Sequence, residues 1–373
     1  MKYWRGYLTA AIIAAITWAL MALGQRFSTL VDMVYPYVIR TLQSMLADWS
    51  SGADFLLWQL AAVVLILVVL ATAVLMIVLK WNPVQWFGWV LTGCASIFLL
   101  YTVMFGMNYY ASPLAEDIRM EVATYNVDEL TEAAIYYRDK ANALASQVDR
   151  DSQGNVEFSD FETLAGQAGD GFHSLTYDYS YSVFAGSTLP VKKLGWADMF
   201  TSMGVTGVTV GLTGEAAVNP NIPDINLPFA ICHEMAHRMC IAEEQDANFA
   251  AFLACSTNSS VEFQYSAYFM AYRYCYNALA GTNTVSASAA AGRVADGASD
   301  LLKRDLNAYN QFFSGAGSSG TAAYDDVCDL LVNWHIQQVV LPSITVEEER
   351  FDPLDESQVD LSGIVNARPT EGG

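Results

Sequence analysis

Three stretches of the chain carry no charged residue: 6–25, 55–79 and 81–115. A helix needs about 20 mainly apolar residues to cross a bilayer. The pattern therefore predicts three transmembrane helices, roughly 7–25, 56–80 and 84–107. The first begins with Lys2 and Arg5, as a signal peptide would. Its apolar run is longer than a cleavable signal needs and no A-x-A site follows, so it reads as a retained anchor. The turn around Lys80, Asn82 and Pro83 is short and makes the second and third spans a hairpin. Between the first two spans, residues 26–54 repeat apolar positions at helical spacing (Phe27, Leu30, Val31, Val34, Val38, Ile39, Leu42). This predicts an amphipathic helix on the membrane or against the exported domain, broken once by Pro36.

Beyond the spans the apolar period is again helical over 113–148, 158–185 and 190–203. It returns with breaks over 227–256, then over 261–280, 287–313 and 321–340. One stretch differs. In 204–217 (GVTGVTVGLTGEAA) Thr and Val alternate with Gly, which suits a short strand or hairpin. Residues 151–157 read as a polar turn, 314–320 (SGAGSSG) as a flexible link and 345–373 as an acidic, partly disordered tail. The expected fold is mainly α: a membrane anchor over 1–110, a mostly helical exported domain with a small hairpin or sheet over 111–344, and the tail.

Charge gives that layout a direction. The N-terminus and the hairpin turn carry Lys2, Arg5 and Lys80 with no acid, while the 26–54 loop mixes Arg26 and Arg40 with Asp32, Asp48 and Asp54. Basic loops stay inside, so three crossings place everything after about residue 108 outside the cell membrane, in a multi-pass topology. The whole chain has 39 acids against 18 basic residues, a net charge of -21, and nearly all of the acids lie beyond the spans. Such a surface repels nucleic acid and anionic lipid and favours cations. Of six cysteines, five (Cys232, Cys240, Cys255, Cys275 and Cys328) lie beyond the spans. Their spacing matches no zinc ribbon or C-x-x-C motif, and they read as small buried hydrophobes, with one unassigned disulfide allowed by the compartment.

The chemistry is concentrated at His233-Glu234-Met235-Ala236-His237. On a helix, positions i and i+4 lie about 40° apart around the axis, so both imidazoles reach one metal ion. A zinc ion held there lowers the pKa of a bound water to about 7, and Glu234 is placed to take the proton. A catalytic zinc site takes a third protein ligand, and Glu243, Glu244 and Asp246 follow at once. Seven residues past His237 on a straight helix, Glu244 would stand about 10 Å further along the axis and out of reach. The helix must break between Arg238 and Ala242, although neither Gly nor Pro marks the place.

The segment Glu244-Gln245-Asp246-Ala247-Asn248 resembles the E-x-x-A-D/N signature that supplies the third ligand in gluzincin-type zinc peptidases. Residues 213–256 as a whole resemble an uncharacterised family of bacterial membrane proteins with N-terminal spans and an H-E-x-A-H-x-x-G-I-A-x-E-x-E-A-N-F block. The similarity continues through Gln264-Tyr265-Ser266-Ala267-Tyr268 and back to Asn108-Tyr109-Tyr110. The resemblance implies a zincin-like fold, zinc as cofactor and Glu244 as the third ligand beside His233 and His237. Two positions depart from it: Cys240 stands where the family has Gly, and Asp246 where it has Glu.

Softer candidates surround this motif. An oxyanion is often met by a second donor, and Tyr268, Tyr272, Arg273 and His335 are available. Tyr268 and His335 join Glu234 as the catalytic candidates. The tyrosines at 265, 268, 272 and 276 fall at helical spacing, as a core stripe would, and Asp246 or Asn248 is placed to orient a ligand imidazole. The 204–217 strand is placed to pair with a substrate backbone, with Glu215 near the cleft. The function expected is a membrane-anchored zinc metallopeptidase acting on peptide or protein outside the cell membrane. The competing class is a catalytically silent zinc-binding receptor. An intramembrane protease is excluded, because Glu234, Arg238, Glu243, Glu244 and Asp246 would crowd one span.

Overall fold

The computed structural model describes residues 2–315 and 324–342. The tail 345–373 and most of the 314–320 link lie outside the described residues. Among the described residues three helices are long and apolar enough to cross a membrane: α1 (Arg5–Arg26), α3 (Leu57–Val78) and α4 (Pro83–Met104). Between the first two runs α2 (Ser28–Ser51). Asn82 starts α4 by accepting the Gln85 N–H at 3.2 Å, with Pro83 in the first turn, where its missing N–H costs nothing. α1 and α4 cross at Gly6 and Gly88. A Cβ on Gly6 would meet the Gly88 carbonyl carbon at 2.5 Å, and the Thr92 hydroxyl donates to the Gly6 carbonyl at 2.8 Å. Small residues that admit close backbones are the usual cement between helices in apolar surroundings.

α2 is one continuous helix, not the broken one expected. Pro36 lies inside it, and its neighbours on either side hold other parts of the chain. Asp32 accepts the Ser112 N–H at 3.0 Å, and Arg40 donates to the Met239 carbonyl at 3.1 Å. Tertiary contacts on both sides of the proline offset the hydrogen bond it removes.

The helix expected over 113–148, by contrast, is divided into α5 (Leu114–Asp117) and α6 (Val127–Ala145). Arg119 takes a left-handed φ of 59°, and Asn126 opens a new helix with Glu129 in a reciprocal capping box. α7 (Phe161–Tyr177) starts on Asp160, which accepts the Thr163 N–H at 2.9 Å. Then come β1 (Lys192–Lys193), α8 (Ala197–Ser202), β2 (Gly207–Val210) and β3 (Glu215–Val218). The three strands form one sheet in the order β1-β3-β2, β1 parallel and β2 antiparallel to β3, with Val208 opposite Ala217. The expected hairpin is therefore β2–β3.

α9 (Leu227–Arg238) and α10 (Glu244–Thr257) form the centre of the domain. They pack between the sheet, α7 and α11 (Val261–Gly281). α12 (Val285–Asp296), α13 (Asp300–Gly315) and α14 (Tyr324–His335) close the outer layer, and a π turn, Ile336–Val340, follows. The 287–313 pattern is thus two helices, parted at Gly297. The core is aromatic and dense, with Tyr137, Phe172, Phe249, Phe263 and Phe269 fully enclosed. All six cysteines are free thiols; Cys232 lies beside Cys255, and Cys275 beside Cys328.

Glu215 does not face the cleft. Its carboxylate accepts the N–H groups of Leu57 and Trp58, each at 2.9 Å, and pairs with Lys192 at 2.8 Å. A strand residue of the domain thereby caps the first turn of α3, where an anion is favoured by the unsatisfied amides and the helix dipole. The carboxylate is fully enclosed. Replacing Glu215 by Ala leaves Lys192 without its counter-charge and the α3 amides without an acceptor. We expect a loss of about 3 kcal/mol, read as a lower midpoint of thermal unfolding in detergent.

Candidate metal centre

The turn that sequence alone left unmarked is made by Cys240. Its φ of 73° places it in the left-handed region, the only such residue between Trp196 and the end of the described chain that is not glycine. α9 ends at Arg238, the Ile241 N–H returns to the Ala236 carbonyl at 3.1 Å, and α10 begins at Glu244. Cys240 does here what Gly does at helix C-termini. Three contacts hold the strained position. Arg40 of α2 binds the Met239 carbonyl, the Cys240 N–H meets the His237 carbonyl at 2.9 Å, and Arg238, enclosed in the core, donates to the carbonyls of Ser187 and Leu189. Burial lowers the pKa of Arg238 to about 10.

Through that turn Glu244 comes back onto the two imidazoles. Its carboxylate lies 3.3 Å from His233 Nε2 and 3.5 Å from His237 Nε2, and the imidazoles stand edge to face with centroids 4.6 Å apart. Donor atoms of these three residues all fall within 4.8 Å of one another, a group that can hold a metal ion. His237 Nδ1 lies 2.8 Å from the Ile241 carbonyl. That contact assigns a proton to Nδ1 and turns Nε2 toward Glu244, where it can meet a metal ion. The turn therefore both brings Glu244 to the imidazoles and orients His237.

Electrostatics follow from the same closeness. The two imidazoles hold the Glu244 carboxyl well below the usual carboxylate range. Burial disfavours charge on His237, but Glu244 and Glu234 outweigh it and its pKa is raised.

Glu234 lies beside the ligands on the buried side of α9. The Thr209 hydroxyl of β2 donates to its Oε2 at 2.7 Å, and a Cβ on Gly207 would fall 2.4 Å from its Oε1. The hairpin leaves room for this carboxylate only because position 207 has no side chain. His233 and Glu244 open onto a cleft of about 200 Å³, whose lining also includes Asn248, Arg273, Tyr274 and Thr206 but neither Glu234 nor His237.

Of the softer candidates, Arg273 reaches this cleft. Tyr268 and His335 do not line it. They belong to an aromatic cluster on the far side of α11, where His335 stacks 4.9 Å from Tyr136 and Tyr268 packs against Tyr136, Tyr137 and Phe252. The stripe that carries Tyr268 is core, as its helical spacing allows. Asp246 accepts the Leu114 N–H at 2.9 Å and orients no histidine, and Glu243 lines a different cavity, shared with Asp32, Asp117 and Asn108. Tyr274 escaped the sequence reading. It lies one residue from Arg273 with no motif to single it out, and only the packing of α11 on α9 reveals it.

Residues 31–332 match a family described as "Protein of unknown function (DUF3810)". The chain belongs to this family. The resemblance to an uncharacterised family is borne out to that extent, and the family brings no activity with it. No curated protein and no solved structure matches the chain.

Three substitutions at two positions test this arrangement. Cys240→Gly should preserve metal binding, whereas Cys240→Val, with a branched side chain at positive φ, should cost about 1–3 kcal/mol and weaken binding. Gly207→Ala should leave metal content unchanged and displace the Glu234 carboxylate. Metal titration and thermal unfolding of each variant read both effects.

Proposed function

We propose that this protein is a membrane-anchored, zinc-dependent peptidase, with α1, α3 and α4 as its spans and the remainder outside the cell membrane. One observation carries the reading. A buried carboxylate, Glu234, is held by a hydroxyl immediately beside a His-His-Glu group of ligand geometry. A purely structural metal site has no use for a base kept there. The donor set fits zinc, since two imidazole nitrogens and one carboxylate are the ligands of catalytic zinc sites that keep one position open. Bound zinc would supply an acidified water and a polarised carbonyl.

The chain's own residues do the rest. His233, His237 and Glu244 would hold the ion. Glu234 takes the proton from the attacking water and returns it to the leaving amine. The Thr209 hydroxyl, donating to Glu234 Oε2, fixes which carboxylate oxygen remains for that transfer. Arg273 and Tyr274 line the same cleft as His233 and Glu244 and would face a developing oxyanion. β2 is an edge of the sheet and offers its backbone to an extended peptide.

His233→Ala should abolish stoichiometric zinc. Glu234→Gln should retain zinc and lower hydrolysis of an unstructured peptide library by at least a thousandfold. Zinc retained by the native protein with no peptide cleaved would instead support a silent zinc-binding receptor. Acid should release the metal. Because the His237 pKa is raised, protons compete for its nitrogen nearer neutrality than for an ordinary imidazole. Zinc affinity should therefore fall as pH drops through 7 towards 5, measured by competition with a chromogenic chelator.

A further inference from the structure

α2 is inside out for a helix that lies against a water-soluble domain. The side turned to the domain carries Pro36, Ile39, Arg40, Gln43, Ala47 and Ser50. The opposite side leaves Leu30, Met33, Val34, Val38, Met45 and Trp49 each more than half exposed. Such a helix buries mostly polar and small residues and presents a mainly apolar face outward, interrupted by the exposed Thr41 and Asp48, an arrangement suited to the boundary layer of a bilayer. Contiguous exposed apolar surface on this scale marks an interaction site.

Its ends identify the occupant. α1 stops at Arg26 and α2 starts at Ser28, and α3 begins at Leu57, soon after α2 ends. Both neighbours are long and apolar enough to cross a membrane. Beside the first turn of α3, whose Gln59 donates to the Gly195 carbonyl at 3.0 Å, the side chains of Trp196, Met199 and Met203 are also exposed. A second apolar patch thus stands beside the start of α3.

The metal centre is tied directly to this surface. Arg40 of α2 holds Met239 in the turn that delivers Glu244. Gln43 of α2 bridges the last residue of α4 and the strand hairpin, donating to the Met104 carbonyl at 3.0 Å and to the Gly211 carbonyl at 2.8 Å. Phe105, the first residue past α4, lies edge-on to the His237 ring at 6.3 Å between centroids. The cleft residues Gly204 and Thr206 follow Met203 at once. A single ring therefore separates the end of a membrane-crossing helix from a metal ligand.

We propose that the exposed face of α2, with Trp196, Met199 and Met203, sits in the interfacial layer of the bilayer that α1, α3 and α4 cross. The substrate is accordingly a bilayer-tethered polypeptide whose juxtamembrane segment enters the cleft extended. The substrate half rests on the peptidase reading; the seat of α2 does not. An extended chain advances about 3.3 Å per residue, so the scissile bond lies within a few residues of the lipid surface. Tethering also replaces bulk concentration by an effective one in the millimolar range.

The full chain in phosphatidylcholine vesicles tests both halves. In a Cys94→Ser background, a nitroxide at Met45→Cys should be relaxed more by oxygen than by a water-soluble nickel chelate, the reverse of a label at Ser286→Cys on α12. Equal behaviour at the two sites, or a spin–spin distance showing a second copy against α2, would overturn the seat. For the substrate, one library-selected peptide is offered free, and fused to an apolar span through spacers of 3 or 20 residues. The short tether should be cut at least tenfold faster than the long one or the free peptide. Equal rates would overturn the tethered-substrate claim while leaving the peptidase intact. Zinc bound with none of the three cut would overturn the peptidase reading and the substrate claim together, and leave the spin labels to decide the seat.

Discussion

Two imidazoles one helical turn apart cannot share a metal ion with a carboxylate farther along the same straight helix, because the axis carries that carboxylate out of reach. The chain resolves this at one residue. Cys240 takes a left-handed conformation, α10 starts at once, and Glu244 lies against both rings. The same reversal turns the Ile241 carbonyl onto His237. Everything else around the centre supports that bend: Arg40 from outside, Arg238 from below, and the sheet that encloses Glu234.

Stability and chemistry are divided between separate surfaces. The aromatic core on α6, α10, α11 and α14 absorbs Tyr268 and His335 and holds the central helices in place. The cleft takes only the other side of α11, where Arg273 and Tyr274 stand. This division explains why histidine and tyrosine identity alone is a poor guide here. A ring on a helix serves core or cleft according to which side of the axis it occupies, and a single side of α11 is chemically exposed.

Much of the layout was legible because it depends on periods and on short-range geometry. The uncharged runs give α1, α3 and α4; the alternation of Thr and Val gives β2; and the spacing of His233 and His237 gives a shared face. What escaped depends on distant partners. Pro36 leaves α2 intact because Asp32 and Arg40 are held by residues far along the chain. Glu215, expected near the cleft, is drawn instead to the amides of Leu57 and Trp58, 158 and 157 residues away. The bend at Cys240 was required by geometry yet carried no sequence mark, since its strain is met by contacts and not by glycine.

The Glu215 cap has a mechanical consequence. Glu215 sits in β3, whose hairpin partner β2 holds Glu234 through Thr209, so the cap of α3 and the position of the Glu234 carboxylate meet on one two-stranded ribbon. The first turn of α3 is thus joined to the Glu234 carboxylate by an unbroken chain of hydrogen bonds, through Glu215 into β3 and across to Thr209 of β2.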